Sequence, residues 1–235
     1  MNWSAKWNVF LKLIKQENFQ NLIKTGLNNT ILIAVLGLLI GIVIGTIIAI
    51  VKVTPKYKLP LKIINKICTV YVAIFRGTPM VVQLLLAYYV FLPTFNLSVD
   101  PLTVGIAVFG LNSAAYISEI MRGGINSIDS GQLEAGRALG LKYSTTMVKI
   151  VIPQAIKNIL PTIGNEFITL IKETSVVSFI TVCDLYTAFN TIGTNTYSVV
   201  VPYIVMACIY IVLVVIITIL IKLMEKGLSR SDRSN

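Results

Sequence analysis

The 235-residue sequence contains no histidine, only three cysteines, and only 13% charged residues. The absence of histidine excludes histidine-based acid–base catalysis and removes the commonest metal ligand. Cys68, Cys183 and Cys208 lie in or beside apolar segments and lack the paired spacing of a disulfide framework or a metal cluster. We therefore predict that the chain is not an enzyme and holds no catalytic residue, metal site or cofactor of its own.

Long apolar runs take up most of the chain. Hydrophobic residues make up 55% of it, and the mean hydropathy is +0.81. A run of about 20 apolar residues, built as a helix, matches the ~30 Å hydrocarbon core of a bilayer. Because lipid offers the backbone no hydrogen-bond partners, helices are the expected structure. The sequence predicts an all-α integral membrane protein.

Five transmembrane helices follow from these runs, and two of the runs carry features of their own. Gly37, Gly41 and Gly45 repeat every four residues in the first run, which predicts close helix packing. Arg76-Gly77-Thr78-Pro79 interrupts the second run, which predicts a broken or kinked helix. The predicted spans are residues 27–51, 66–91, 102–120, 161–182 and 199–221.

The lysines and arginines responsible for the net charge of +10 lie at the ends of the apolar runs, so the charge does not indicate nucleic acid as a partner. Lysine and arginine number five over residues 52–66, none over 91–101, five over 122–157, none over 183–202 and four after 221. By the positive-inside rule the C-terminus is cytoplasmic, and five spans then leave the N-terminus outside.

The lysines near the N-terminus do not fit this alternation. Trp3, Trp7, Phe10 and Ile14 repeat at helical spacing, which is typical of an amphipathic helix lying in the membrane interface. We therefore predict three regions: an interfacial helix over residues 1–24 on the outer leaflet, a transmembrane domain over 25–224, and a cytoplasmic tail over 225–235. The transmembrane domain includes a structured cytoplasmic segment over residues 129–161.

This segment contains the polar stretch EAGRALGLKYSTTMVKIVIPQ, residues 134–154. Ser127, Asp129 or Ser130 is placed to cap a helix over residues 132–139, and Gly140 suits a left-handed helix end. A second helix is expected to begin at a cap on Ser144 and to end near Ile152, ahead of Pro153. Two short helices joined at a glycine predict a compact projection, although a segment lying on the membrane surface is the alternative.

The spacing of Glu134-Ala135-Gly136, Gly140 and Ile150-x-Ile152-Pro153 resembles the EAA loop of bacterial ABC importer permeases, with Gly136 and Ile152 departing from the pattern. The stretches FRGTPMVVQLLLAYY, NSAAYISEIMRGGINSI and IKETSVVSFITVCDL are similar to the polar amino acid permeases of the histidine, glutamine, arginine and cystine uptake group. The resemblance covers residues 25–223. It implies the type I ABC importer permease fold in a bacterial cell membrane.

In that family the loop is a coupling helix pair that binds a cleft of a cytoplasmic ATPase. The resemblance implies a second permease, identical or homologous, an ATPase dimer that binds ATP and Mg²⁺, and an extracytoplasmic amino-acid-binding protein. This chain has no phosphate-binding loop of the G-x-x-x-x-G-K-[ST] type. The residues implied to contact or flank the ATPase are Glu134, Ala135, Gly136, Arg137, Gly140 and Lys142.

Charged side chains inside the spans are candidates for the substrate pathway, because each costs ~2.5–3.5 kcal/mol at bilayer depth. Arg76 is placed to meet a substrate carboxylate, and Glu119 or Glu166 an ammonium group. Alternatively, Glu119 pairs with Arg122, Arg76 anchors a helix end at a headgroup, and Glu166 joins Glu173 and Lys172 in a structural network between subunits. The neutral candidates are Thr78, Gln83, Tyr88 and Asn112.

The function predicted from these features is ATP-powered import of polar amino acids through a permease subunit. The rival hypothesis is an ion-gradient-driven secondary amino acid transporter that uses the buried carboxylates. The odd number of spans and the lack of a visible inverted repeat argue against it. The sequence does not name the amino acid, and it leaves open whether the two permeases are identical.

Overall fold

The computed structural model describes residues 3–55 and 59–231, with side chains in the second range described through residue 227. Residues 1–2, 56–58 and 232–235 lie outside the described ranges. They belong to the predicted N-terminal helix, first cytoplasmic loop and tail, respectively. Within the described ranges every regular element is helical. The helices are α1 (Trp3–Ile14), α2 (Glu17–Val53), α3 (Leu59–Gly77), α4 (Met80–Thr94), α5 (Pro101–Asn126), α6 (Gly131–Ala138), α7 (Tyr143–Thr146, Met147–Val151 and Ile152–Glu173 in sequence), α8 (Leu185–Asn195) and α9 (Val200–Ser231).

The core of the bundle is the long contact between α2 and α5. Gly37, Gly41 and Gly45 are all buried on the face of α2 that meets α5. A Cβ atom on Gly41 would lie 2.6 Å from Ser113 Oγ, and one on Gly45 would lie 2.9 Å from the Ala114 carbonyl oxygen. The predicted packing role of the three glycines is confirmed, because a side chain at these positions would force the helices apart.

The predicted break in the second span is also confirmed. Helix α3 ends at Gly77, α4 begins at Met80, and the two axes differ by 108°. Pro79 takes the N-cap position of α4, with φ −62° and ψ 141°. Since proline has no N–H group to continue the α3 hydrogen bonds, the chain turns here. Within α4, Leu86–Phe91 forms a π-helical stretch.

The fourth predicted span starts in the wrong place. The chain is helical from Tyr143 to Glu173, so neither Pro153 nor Pro161 ends or begins a helix. Ser144 is not a cap, since Lys142 holds the N-cap position. Pro153 lies two residues after the end of the π-helical turn Met147–Val151, whose wider ring spacing accommodates a residue without an N–H donor.

Among the described residues, α2, α5 and α9 are long and apolar enough to cross a membrane, and α3 with α4 forms a broken fourth candidate. The 22-residue stretch Ile152–Glu173 of α7 has the length of a fifth crossing but is more polar than these. Helix α9 continues to Ser231, so the predicted tail starts inside a helix.

Helix α8 has no counterpart in the predicted spans, and the fourth predicted span, residues 161–182, runs past the end of α7 at Glu173. Residues Thr174–Ile180 form a 3-10 helix, and the buried Asp184 caps α8 by accepting hydrogen bonds from the Tyr186 and Thr187 amides. Phe10 of α1 packs into the apolar cluster that α8 forms with α9. The N-terminal helix therefore lies against the end of the bundle where α8 and α9 meet.

Candidate functional site

The first candidate surface is the projection formed by α6 and the start of α7. Its two helices are joined by a Schellman turn, in which the Leu141 amide donates to the Gly136 carbonyl oxygen and the Gly140 amide donates to that of Arg137, each at 2.9 Å. Gly140 has φ 73°, a left-handed conformation that glycine adopts without steric cost. The predicted helix over residues 132–139 and its glycine end are confirmed.

Five of the six predicted coupling residues are exposed on this projection: Glu134, Ala135, Arg137, Gly140 and Lys142. Gly136 is the exception. It is buried, and a Cβ atom there would lie 2.5 Å from Thr146 Oγ1. Gly136 therefore packs α6 against α7 instead of facing a partner, and this part of the predicted contact needs correcting.

Leu139 was missed in the sequence analysis. It precedes Gly140 at the tip of the projection and has 78% of its surface exposed. Leu141, on the other side of the glycine, is 38% exposed. An apolar pair flanking a turn glycine in an otherwise polar segment was the available signal, since exposed apolar side chains together mark binding surfaces.

The second candidate site lies at the break between α3 and α4. The Gln83 side-chain amide donates to the Phe75 carbonyl oxygen at 2.8 Å and to Thr78 Oγ1 at 2.9 Å. The Asn112 amide donates to the Gln83 amide oxygen at 3.0 Å and to the Phe75 carbonyl at 3.3 Å. These side chains satisfy carbonyl groups that the broken helix leaves without partners, so they stabilise the break.

A cavity of 310 Å³ opens beside this break. Its lining includes three predicted pathway residues, Arg76, Thr78 and Asn112, together with Tyr116 and Glu173. The Arg76 guanidinium lies over the Tyr116 ring, 5.3 Å from its centroid, in a cation–π contact. The cavity thus combines a guanidinium, a carboxylate and neutral hydrogen-bonding groups.

Glu119 lies in a charge cluster next to this cavity. Its carboxylate accepts hydrogen bonds from Lys52 Nζ and, at 2.7 Å, from Arg122, while an Arg76 nitrogen lies 3.9 Å away. The Glu119–Arg122 pair is the alternative that the sequence left open. Since three cations already surround this carboxylate, it is less available to a substrate ammonium group than its sequence position suggests.

The remaining predicted pathway residues lie apart from the cavity wall. Glu166 is outside the lining; its charged neighbours are the like-charged Glu173 and the cation Arg76, so its network with Glu173 and Lys172 stays a prediction. Gln83 reaches the site only through Thr78 and Asn112. Tyr88 packs against the main apolar cluster of the bundle, so its ring serves the core.

A polar stripe on α7 is a further feature that sequence reasoning overlooked. Asn158, Thr162 and Asn165 are exposed along one face of the helix, and Thr169 and Lys172 continue this face toward its end. The i, i+4, i+7 spacing was the signal, because it places such residues on one side of a helix. Exposed amides are unfavourable against lipid, so this face requires water or another protein.

Residues 41–230 match the protein family described as "Binding-protein-dependent transport system inner membrane component". The chain belongs to this family. As a permease subunit it is not itself an enzyme, and it is an inner membrane component. The predicted all-α ABC importer permease is confirmed, and these matches favour it over the secondary transporter.

Relatives within the family are permeases of amino acid transport systems. The chain is 43% identical over 162 residues to the arginine transport system permease protein ArtQ of Bacillus subtilis, covering 69% of this chain and 74% of that protein. It is 33% identical over 216 residues to the L-cystine transport system permease protein TcyB of Bacillus subtilis, covering 92% of this chain and 90% of that protein.

Solved structures agree with the fold. A crystal structure of an amino acid ABC transporter with histidines matches with a TM-score of 0.83 and 38% identity, covering 93% of this chain and 98% of that one. An inward-facing MetNI methionine ABC transporter matches with a TM-score of 0.74 and 18% identity, covering 91% of this chain and 99% of that one. At that identity the second match supports the fold alone.

Proposed function

We propose that this permease carries polar amino acids into a bacterial cell, driven by ATP hydrolysis in a partner subunit. The main observation behind the proposal is that Arg76 and Glu173 line the same cavity. An amino acid zwitterion needs groups of both signs, and a guanidinium forms paired hydrogen bonds with a carboxylate. The arginine and cystine permeases among the relatives support the same substrate class.

Coupling to the ATPase is assigned to the projection of α6 and the start of α7. Glu134, Ala135, Arg137, Gly140 and Lys142 form the proposed contact surface, with Leu139 at its tip. An ATPase dimer that binds ATP and Mg²⁺ supplies the energy, since this chain lacks a phosphate-binding loop. Because α7 begins in the projection and runs unbroken to Glu173, a push on the projection moves one wall of the cavity.

A second permease, identical or homologous, is proposed to face the polar stripe of α7. Asn158, Thr162 and Asn165 of the two subunits would then line a shared aqueous path. An extracytoplasmic amino-acid-binding protein would deliver the substrate at the opposite end from the projection. The charge cluster around Glu119 holds α2, α3 and α5 together beside this path.

The proposed orientation puts the N-terminus outside and the C-terminus in the cytoplasm, on the alternation of basic residues between the spans. Residues 1–24 are proposed as an interfacial region, 25–224 as the transmembrane domain with its coupling segment over 129–161, and 225–235 as the cytoplasmic end. Exposed Trp3 and Trp7, at 52% and 45%, support an interfacial α1 in contact with membrane lipid.

The test is uptake of labelled amino acids by the complete importer in liposomes. Arg76→Ala and Glu173→Gln should each raise the substrate concentration for half-maximal uptake at least ten-fold, because each removes one charge partner of the zwitterion. Glu17→Gln, an exposed position at the start of α2, is the matched control. Unchanged uptake curves for both cavity variants, with normal amounts of assembled importer, would contradict the proposed site.

A further inference from the structure

A second polar cavity, of 390 Å³, lies between the C-terminal ends of α2 and α5 and the first half of α3. It offers the same kinds of groups as the cavity at the helix break, namely cations, a carboxylate and neutral hydrogen-bonding side chains. The polar and charged residues that line it are Lys52, Asn65, Thr69, Glu119, Arg122 and Asn126.

The second cavity continues the first along one side of α5. Asn112 and Tyr116 line the first cavity, whereas Glu119, Arg122 and Asn126 line the second. At 3.6 residues per turn these five residues lie within about a third of the circumference of the helix. The two cavities are therefore successive polar spaces on the same helix face, and the second is nearer to the end of α5.

Two contacts separate the cavities. An Arg76 nitrogen, which belongs to the first cavity, lies 3.9 Å from an oxygen of Glu119, which belongs to the second. One turn before Arg76 on α3, the buried Val72 packs in an apolar cluster with Ile48 and Ala115. Because α3 carries both Arg76 and Val72, a change in the tilt of α3 would loosen both contacts together. A molecule that leaves the first cavity then has the second as its neighbouring polar space.

The charges of the second cavity suit a carboxylate group. Its lining holds two cations, Lys52 and Arg122, against the one carboxylate of Glu119, which leaves a positive charge in excess. Arg122 donates to Glu119 through Nε at 3.1 Å and through one terminal nitrogen at 2.7 Å. Among the described residues its other terminal nitrogen has no hydrogen-bond partner, so its N–H groups remain for a substrate carboxylate.

Neutral oxygen atoms of the same cavity suit an ammonium group. The Thr69 hydroxyl donates to the main-chain carbonyl oxygen of Asn65 at 2.8 Å, so its own oxygen remains an acceptor. The buried side-chain oxygen of Asn65 has no hydrogen-bond partner within the described ranges. The terminal amide of an asparagine turns through a broad range of angles, and turning this oxygen into the cavity would give it the donor that a buried amide oxygen requires.

We propose that the second cavity is a further amino acid site, which the substrate occupies after it leaves the cavity of Arg76 and Glu173. Arg122 holds the substrate carboxylate, and Thr69 and Asn65 hold its ammonium group. The substrate class rests on the proposed function, and the place of the site on the cytoplasmic side rests on the proposed orientation. While the substrate waits there, Arg76 returns to Glu119 and closes the route behind it.

Protection of a cysteine by substrate is the first test. Val53 lines the second cavity without being a proposed contact, so Val53→Cys is made in a complete importer whose Cys68, Cys183 and Cys208 are replaced by serine. The rate of its reaction with a charged maleimide is measured with arginine, glutamine, histidine or cystine present. The amino acid that the importer takes up should slow labelling at least five-fold at saturation, and should still do so when Arg76→Ala disables the first cavity.

The chemistry of the protecting molecule distinguishes an amino acid site from a simple anion site. The N-acetylated form of the same amino acid, which lacks the ammonium group, should protect at least ten-fold more weakly, and acetate should not protect. Equal protection by acetate would overturn the proposal, as would no protection by any of the four amino acids. Protection that disappears with Arg76→Ala would assign the effect to the first cavity and would also overturn it.

Uptake by paired variants separates this proposal from the proposed function. Thr69→Val combined with Asn65→Leu removes both acceptors and should lower the maximal uptake rate at least three-fold without changing the concentration for half-maximal uptake, because the first cavity is intact. The control combines Thr218→Val, whose hydroxyl likewise donates to a carbonyl oxygen one turn earlier, with Asn21→Leu at an exposed position of α2. Wild-type uptake by the first pair, alongside a changed half-maximal concentration in Arg76→Ala, would remove the second site and leave the first in place. Unchanged uptake in all these variants would contradict both sites.

Discussion

The substitution Gly136→Ala gives the sharpest test of the packing inside the coupling projection. Alanine restores the second alanine of the EAA pattern, and by helix propensity alone it should stabilise α6 by up to ~1 kcal/mol. The structure gives the opposite sign. The new Cβ atom would lie 2.5 Å from Thr146 Oγ1 and 2.6 Å from Thr146 Cγ2.

The size of the effect follows from the surroundings of Thr146. This side chain is 1% exposed and branched at Cβ, and its hydroxyl donates to the Lys142 carbonyl oxygen at 3.3 Å, so it cannot rotate away freely. Overpacking of this kind costs ~1–3 kcal/mol. When the propensity gain is subtracted from this overpacking cost, we expect a net loss of about 1 kcal/mol in the local stability of the projection. The loss is larger if the Thr146 side chain does not move.

Hydrogen exchange measures this quantity directly. In the reconstituted importer, amides of residues 132–146 should exchange about five-fold faster in Gly136→Ala than in wild type. Adding Thr146→Ala removes both clashing atoms, so the double variant should regain protection relative to Thr146→Ala alone. Gly123→Ala, where a Cβ atom has no neighbour within 4 Å, is the control. Unchanged or slower exchange in Gly136→Ala would refute the reasoning.

Two further predictions concern the bundle. Gly41→Ala should lower the thermal unfolding midpoint of the purified importer by several degrees, because its Cβ atom would lie 2.6 Å from Ser113 Oγ. Gly77→Ala is the control and should leave the midpoint unchanged, since the space around Gly77 is open. Equal midpoints for the two variants would show that α2 and α5 are not packed as described. Glu119→Gln should destabilise the importer by about 3 kcal/mol, because it leaves Lys52, whose side chain is 13% exposed, without its carboxylate partner. Adding Lys52→Gln to Glu119→Gln should recover part of that loss. A denaturation curve of Glu119→Gln identical to that of wild type would contradict a stabilising role for the charge cluster.

Features set by local chemistry were predictable from the sequence. Gly37, Gly41 and Gly45 could be assigned to a helix contact because their spacing alone puts them on one face. The break at Arg76-Gly77-Thr78-Pro79 and the left-handed end at Gly140 follow from the backbone properties of proline and glycine. The helix pair of the projection was located in the same way, and its proposed coupling to an ATPase rests on the family resemblance.

Features set by tertiary contacts were not predictable. Pro153 and Pro161 usually mark helix ends, but α7 continues through both after its π-helical turn. The sequence placed Gly136 at the partner surface because the neighbouring residues of the EAA pattern were assigned there. Only the position of Thr146, which packs against Gly136, shows that Gly136 is buried. Gln83 and Asn112 were predicted to contact the substrate, but their side-chain amides donate hydrogen bonds to the Phe75 carbonyl oxygen at the break.

The central claim is that a separate ATPase subunit binds the projection. Site-directed cross-linking tests this claim most directly. In a variant with Cys68, Cys183 and Cys208 replaced by serine, a single cysteine at Ala135 should cross-link to the ATPase subunit in membranes, with a yield that changes when ATP is added. A single cysteine at Tyr197, which is fully exposed on the turn between α8 and α9, should not. An Ala135 cysteine that never captures the ATPase in an importer actively accumulating amino acid would contradict the account.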